Sequence, residues 1–301
     1  MRNDMLNDSI SEPKVAVPRR SCDCHVHVFD PVRFPYVPDR TYTPGPAMVA
    51  DLLAFQRRIG FERVVLVQPS GYGTDNRCLV DALSLLGTAR ARGVAVVDTA
   101  RIRPAETDAL HAAGVRAIRL NMEVKGDSSV GRTQAALAQA LEVAAQHDWA
   151  VQLYVDIAVV DGLADTLARA RTPVVLDHFA GLRAEAGIAQ AGFSTLLELL
   201  RSAPVHVKLS AAYRASKSGP GDLSPYVRAL AGAGPTRLVW GSDWPHTGSS
   251  SNRTGDLSVV EPFRTIDDGR AVDMLADWID DPELRHRILV GNAARLFGFD
   301  E

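Results

Sequence analysis

Ser21-Cys22-Asp23-Cys24-His25-Val26-His27-Val28, running on into Phe29-Asp30-Pro31, is the stretch on which the fold turns. Ser21–Val28 reads as an extended segment. Side chains alternate along a strand, so His25 and His27 are expected on one face and Cys24 and Val26 on the other. A doubly wound open sheet usually carries a glycine-rich loop after its first strand. Here Val28-Phe29-Asp30-Pro31 follows instead, and no GxGxxG, Walker loop or GxSxG elbow occurs in the chain. The paired imidazoles can bind a metal, polarise an oxygen or hold an anion, and their spacing alone leaves all three open.

Working outward, β-branched runs recur at Arg63–Gln68, Val94–Thr99, Val115–Leu120, Ala150–Val155, Pro173–Asp177, Val205–Leu209 and Arg237–Trp240, making eight expected strands. Between them, apolar residues at helical spacing predict helices over Ala47–Ile59, Asn76–Arg90, Ala105–Ala112, Arg132–His147, Val159–Ala170, Phe193–Arg201 and Leu223–Ala231. Arg270–Ile279 and Glu283–Leu289 follow, with Gly60, Gly93 and Gly114 as expected helix stops and Asp281-Pro282 as a start. Strand and helix alternating eight times in 301 residues is the pattern of an α/β (β/α)8 TIM barrel. Residues 1–20 lack periodicity and are expected to be an N-terminal tail, with 21–301 forming a single barrel domain.

Composition narrows the function. The formal net charge is -3 with basic residues scattered, so no nucleic-acid surface is expected. No apolar run reaches the roughly 18 residues of a membrane span, and the first 20 residues lack the apolar core of a signal peptide, so a cytoplasmic, non-membrane protein is expected. Cys22, Cys24 and Cys78 read as small buried side chains, since Cys22-Asp23-Cys24 lacks the CxxC spacing of a zinc or redox site. Oligomeric state is open between monomer and homo-oligomer.

In a barrel the C-terminal strand ends converge on one mouth, and here almost every strand delivers a polar group to it. These are His25 and His27, Gln68-Pro69-Ser70, Asp98, Arg119 and Asn121, Gln152 and Tyr154, Asp177-His178, Lys208 and Ser210, and Ser242-Asp243-Trp244-Pro245-His246. A carboxylate directly after Leu238-Val239-Trp240 needs a reason to sit beside a buried run, which makes Asp243 the leading catalytic candidate. Asp177, of opposite parity to His178, is expected to face the helices or to cap the next segment. His111, His147, His206 and His286 read as framework. Arg119 can hold a carboxylate by two parallel bonds, and Arg214, Lys125 and Arg183 add positive charge from loops. A mouth with imidazoles, one acid and several cations predicts a small anionic ligand.

The pattern resembles the amidohydrolase superfamily, and within it the group of 2-pyrone-4,6-dicarboxylate lactonases and sugar-lactone enzymes. The resemblance rests on Asp23-Cys24-His25-Val26-His27-Val28-Phe29, Val65-Leu66-Val67-Gln68-Pro69-Ser70 and Gly114-Val115-Arg116-Ala117-Ile118-Arg119-Leu120-Asn121. It continues through Leu176-Asp177-His178, Val207-Lys208-Leu209-Ser210, Trp240-Gly241-Ser242-Asp243-Trp244-Pro245-His246 and Gly291-Asn292-Ala293-Ala294-Arg295-Leu296-Phe297, spanning roughly residues 21–298. It implies a distorted barrel. Metal-dependent members hold one or two divalent ions through the strand-1 histidine pair, a strand-4 carboxylated lysine or glutamate, histidines of strands 5 and 6 and the strand-8 aspartate.

This chain keeps His25, His27, His178 and Asp243, but has Arg119 on strand 4 and Gln152 and Tyr154 on strand 5. The resemblance therefore implies a metal-free site without cofactor, with zinc or manganese held by His25, His27, His178 and Asp243 as the alternative. It further implies that Tyr42, Ser70, Arg119, Tyr154 and Arg214 hold substrate carboxylates or hydroxyls, with Lys125 where the lactonase has a further arginine. His246 completes the pocket or fixes its loop. The expected reaction is hydrolysis of a carboxylate-bearing lactone, with Asp243 as base and His25, His27 and His178 facing the carbonyl oxygen. A metal-dependent amidohydrolase or decarboxylase, a lactone isomerase and a non-catalytic barrel that binds an acidic metabolite are the alternatives.

Overall fold

The computed structural model describes residues 7, 9–122, 129–219, 223–248 and 255–300. Eight parallel strands, β1 (Cys22–Val26), β2 (Arg63–Val67), β3 (Ala91–Ala95), β4 (Val115–Asn121), β5 (Ala150–Tyr154), β6 (Val174–Leu176), β7 (Val205–Ser210) and β8 (Leu238–Gly241), pair in that order. Just past β8 the chain returns to β1: Asp243 N donates to His25 O at 2.9 Å and His27 N to Trp244 O at 2.9 Å. Gly241 permits this seam, because a Cβ there would stand 2.8 Å from His25 Cβ and 2.9 Å from His25 N. The result is the expected distorted (β/α)8 barrel.

Around it lie α1 (Val49–Ile59), α2 (Arg77–Leu86), α3 (Pro104–Ala112), α4 (Val130–Ala144), α5 (Val160–Ala168), α6 (Phe193–Ser202), the short α7 (Ala212–Ala215) and α8 (Ser224–Ala233). The chain ends in α9 (Asp268–Trp278), α10 (Pro282–His286) and α11 (Asn292–Phe297). Alternation divides the strand side chains into two apolar layers. Val64, Leu66, Val151, Leu153, Val205 and Val207 pack outward with helix residues such as Leu52, Phe55, Leu137 and Leu196. Val65, Val67, Val94, Ala117, Ala150, Val175 and Val239 point inward and meet Ala293, Ala294 and Phe297 of α11. Phe299, just beyond α11, lies under the guanidinium groups of Arg63 and Arg92 at the strand starts, so the C-terminal segment closes the lower end and leaves the mouth at the other.

The third strand begins three residues earlier than expected. Helix α2 stops at Leu86, where Gly87 leaves it at φ 76°, and Gly93 lies within β3 rather than ending a helix. A Cβ on Gly93 would meet Leu83 Cδ1 at 2.8 Å and Val115 Cγ2 at 3.2 Å, so the position is small because α2 and β4 press on it. The shift moves Asp98 beyond the strand into a turn, where it accepts from Ala100 N at 3.1 Å instead of facing the mouth.

Near the N-terminus, buried Ile10 accepts through its carbonyl from Arg58 Nε at 2.6 Å, and Asp273 Oδ1 receives the Lys14 and Val15 amides at 2.8 and 3.1 Å. The cysteines Cys22, Cys24 and Cys78 are free and buried. Among the described residues no helix is long and apolar enough to cross a membrane.

Candidate active site

Strand β1 carries one residue more than its neighbour: Asp23 pairs with Val64, but Val26 pairs with Leu66. This bulge breaks strict alternation, so Cys22 and Cys24 line the interior below while His25 and His27 also point inward and Val26 joins the outer layer. Cys24 and His25 therefore do not take opposite faces as strict alternation predicts. A similar departure occurs after β6. His178 adopts φ 50°, in the left-handed region, so it and Asp177 both reach the interior, and Asp177 neither faces the helices nor caps the next segment. Ala211 (φ 51°) and Asp243 (φ 74°) turn the same way after β7 and β8. Left-handed non-glycine residues each cost on the order of 1–3 kcal/mol and concentrate at functional sites.

Three imidazoles converge on one carboxylate oxygen. Asp243 Oδ1 lies 3.5 Å from His25 Nε2, 3.7 Å from His27 Nε2 and 3.8 Å from His178 Nε2. These spacings exceed normal hydrogen bonds, and His25 Nε2 is buried without a hydrogen-bond partner among the described residues. Donors on a tetrahedral zinc at about 2.0–2.1 Å stand about 3.3–3.4 Å apart, close to the separations found here. His25, His27 and Asp243 form one group of candidate ligands and His25, Asp177 and His178 a second, each with its donor atoms within 4.8 Å of one another.

The expectation of a metal-free site is overturned by these two clusters. That expectation rested on Arg119, Gln152 and Tyr154 standing where strand-4 and strand-5 ligands are expected, yet Arg119 is engaged elsewhere: Nη1 donates to Gln68 O at 3.1 Å, and Nε stands 4.0 Å from Asp177 Oδ2. Gln152 is committed too, donating through Nε2 to Asp177 Oδ2 at 2.7 Å and accepting from Lys208 Nζ at 2.7 Å. The ligand groups thus assemble without strands 4 and 5.

Protonation states suit the ligand role. Burial pushes His25, His27 and His178 below the usual histidine range, His178 to about 4, so all three are neutral at pH 7 with a ring lone pair available. Burial alone would raise Asp243, but the Arg214 guanidinium and the imidazoles outweigh it and hold the carboxyl well below the ordinary range. Its other oxygen, Oδ2, accepts from Tyr213 Oη at 2.7 Å and from Arg214 Nε at 3.1 Å.

Behind His25 lies a second buried ion pair. Lys208 Nζ is 3.1 Å from Asp177 Oδ1 and 3.2 Å from His25 Nδ1, while Asp177 Oδ1 is 3.4 Å from His25 Nδ1. Burial raises Asp177, but Lys208 and His25 prevail and keep it ionised. Ligation through His25 Nε2 requires the ring proton on Nδ1, directed to Asp177.

The structure brings His25, His27, His178, Asp243, Arg119 and Arg214 together, with the Tyr154 ring 4.8 Å from that of His178. Arg214 is engaged with Asp243 and with Thr247 O at 3.0 Å, and Arg183 donates to Arg214 O at 2.8 Å. Ser70 opens a half-buried turn after β2. Tyr42 is buried just before Thr43–Pro44, a short strand paired with Val260–Glu261. His246 Nε2 bonds to the buried carboxyl of Asp268 at 2.8 Å. Lys125 lies outside the described residues. His111 and His147 form a framework cluster with Trp149, whose Nε1 donates to His111 Nδ1 at 3.0 Å.

Sequence reasoning missed Tyr213 and the joint role of Asp177, Lys208 and Gln152. Strand Val205–Ser210 did carry a signal: His206, Lys208 and Ser210 alternate with three apolar residues in a run buried on both faces. Tyr213 has no comparable periodic signature, because it stands in α7, a helix of four residues and too short to show a period.

Known proteins match this chain over most of its length. A sequence model of the family described as Amidohydrolase covers residues 22–299. The chain is 35% identical over 288 residues to the 4-sulfomuconolactone hydrolase of Rhizobium radiobacter, covering 94% of this chain and 91% of that protein. It is 32% identical to the 2-pyrone-4,6-dicarboxylate hydrolase of Comamonas testosteroni, covering 97% and 94%. A solved Pseudomonas putida protein, provisionally named a 2-pyrone-4,6-dicarboxylic acid hydrolase, superposes with a TM-score of 0.78 at 32% identity, covering 95% of this chain and all of that one.

Proposed function

The chain belongs to the amidohydrolase family, and from that premise we propose that it hydrolyses the ester bond of a small anionic lactone with a divalent ion, zinc or manganese, at its mouth. It is a hydrolase, related over nearly its whole length to enzymes named for lactone substrates that carry sulfonate or carboxylate groups. The observation that carries the reading is the convergence of three neutral imidazoles on Asp243 Oδ1 at 3.5–3.8 Å, with Arg214 bound to the same carboxylate.

His25, His27 and Asp243 would hold the ion, with His178 Nε2 3.8 Å from the same carboxylate oxygen and its ring 4.7 Å from that of His25. When bound, the ion supplies Lewis acidity toward the lactone carbonyl and lowers the pKa of a nearby water. Lactone hydrolysis then needs a proton acceptor for the attacking water and a proton for the departing ring oxygen. Asp243 serves both, taking the proton and returning it. Its depressed pKa makes it a weak base by itself, so it suits a water that is already acidified. Tyr213 and Arg214 fix its Oδ2 and keep Oδ1 aimed at the imidazoles. Arg119, 6% exposed at the end of β4, is the candidate grip for a substrate carboxylate and would position the carbonyl against the water.

The test is a screen of acidic lactones and lactonised sugar acids read by proton release, on protein stripped by a strong chelator and then reloaded. Turnover should vanish on stripping and return with zinc or manganese, and Asp243→Asn should lose both turnover and bound metal. Undiminished hydrolysis by metal-free protein would sink the metal-dependent reading, and no turnover of any acidic lactone by loaded protein would sink the lactonase.

A further inference from the structure

Arg264 lies in the loop between Val260–Glu261 and α9, and its setting differs from that of every other arginine at the mouth. Arg119 donates to Gln68 O, Arg183 to Arg214 O, and Arg214 to Asp243 and Thr247. Among the described residues the Arg264 side chain makes no hydrogen bond and no ion pair within 4.0 Å, although it is half-buried and its Nε is removed from solvent. A buried guanidinium N–H with no acceptor is costly, and such groups in native proteins call for an explanation. Nothing about its position is loose. Arg264 N donates to His246 O at 2.8 Å, and the ring of the preceding Phe263 packs 5.8 Å from that of Phe29, which itself lies 6.1 Å from the His27 ring.

The guanidinium sits over the Tyr213 ring, 5.3 Å from its centre, while Arg214 approaches the same ring at 5.2 Å. Tyr213 Oη in turn donates to Asp243 Oδ2 at 2.7 Å. One aromatic side chain therefore links the reacting carboxylate to an uncommitted cation. Stacking on an aromatic face fixes the plane of a guanidinium while leaving its edge N–H groups free to meet a carboxylate or sulfonate by two parallel bonds.

We propose that Arg264, fixed on Tyr213, is an anion-binding and specificity-determining residue that receives a second acidic group of the substrate, remote from the ring carbonyl. The site thus selects doubly acidic ring substrates over singly acidic ones. This rests on the anionic-lactone reading but is tested without turnover. The probes are two planar acids that cannot be hydrolysed, benzoate and benzene-1,3-dicarboxylate, titrated calorimetrically into the metal-loaded full chain. Wild type is expected to favour the diacid. Arg264→Met should weaken diacid binding about ten- to hundredfold, the range for losing a charge-assisted bidentate contact, and leave benzoate within about twofold. Arg264→Lys should fall between, since it keeps the charge and loses the fork. Equal losses for both acids, no loss for either, or no diacid preference in wild type would overturn the assignment. Retained diacid selectivity at Arg264 with no hydrolysis of any acidic lactone would instead sink the lactonase reading alone.

Discussion

Replacing Lys208 with Met strips the cationic charge that stands 3.1 Å from Asp177 while preserving much of the side-chain length. Both partners are wholly buried, so Asp177 would keep Gln152 Nε2 at 2.7 Å, His25 Nδ1 at 3.4 Å and the distant Arg119 Nε at 4.0 Å as its remaining polar neighbours. Breaking a buried pair from one side typically costs about 3–5 kcal/mol, because the surviving charge is stranded. With an unfolding entropy of about 2.1 cal/mol/K per residue, that is a fall in Tm of roughly 5–8 °C for a chain of this size. Chemical unfolding at pH 7.5 followed by circular dichroism would measure it, together with Asp177→Asn and the double variant. The double variant should regain most of the loss, since an amide in place of the carboxylate leaves no charge to compensate and can still accept from Gln152. A Lys208→Met protein within about 0.5 kcal/mol of wild type, or a double variant whose loss is the sum of the two singles, would refute the idea that this pair is a coupled unit behind His25.

Arg119→Met should raise KM for carboxylate-bearing lactones by about tenfold or more with a smaller effect on kcat, and an unchanged KM would remove Arg119 from substrate binding. Stability should fall in mild acid. Burial pushes His206 down to about 4, so between about pH 6.5 and 4 the unfolded chain binds a proton that the folded chain does not, and stability drops as pH falls by up to about 3 kcal/mol from this group alone. His206→Leu should flatten that decline in urea unfolding between pH 7 and 4.5, and parallel curves for the two proteins would argue against it.

The eight strands were legible because each is a β-branched run bounded by helical periodicity, and the candidate ligands because polar residues stand at the ends of apolar strands. What escaped depended on backbone departures from regularity. Gly93 looks like a helix stop, yet it lies in a strand where Leu83 and Val115 leave no room for a side chain. Alternation assigns Asp177 and His178 to opposite faces, but a left-handed His178 turns both inward. The extra residue in β1 does the same for Cys24 and His25. The irregularities at β1 and at His178 each bring to the interior a functional group that an ideal strand would send outward. Arg119 misled for a different reason: its charge is visible in the sequence, whereas the Gln68 carbonyl and Asp177 that hold it back are tertiary neighbours.

The same contacts explain how one small mouth can carry so many charges. Asp177 and Asp243 are the ionised acids at its centre, and each has its own cation, Lys208 for the first and Arg214 for the second. Were these acids unpaired, burial would push both towards the neutral form and weaken them as ligands. Were the cations unpaired, they would repel a divalent ion at His25 and His27. Pairing resolves both difficulties while leaving Arg119 and Arg264 as positive charge beyond those pairs. A metal ion held at the candidate ligands would add to that excess. An anionic substrate would then balance the site, so the charge pattern and the candidate ligand geometry both support the proposed class of molecule.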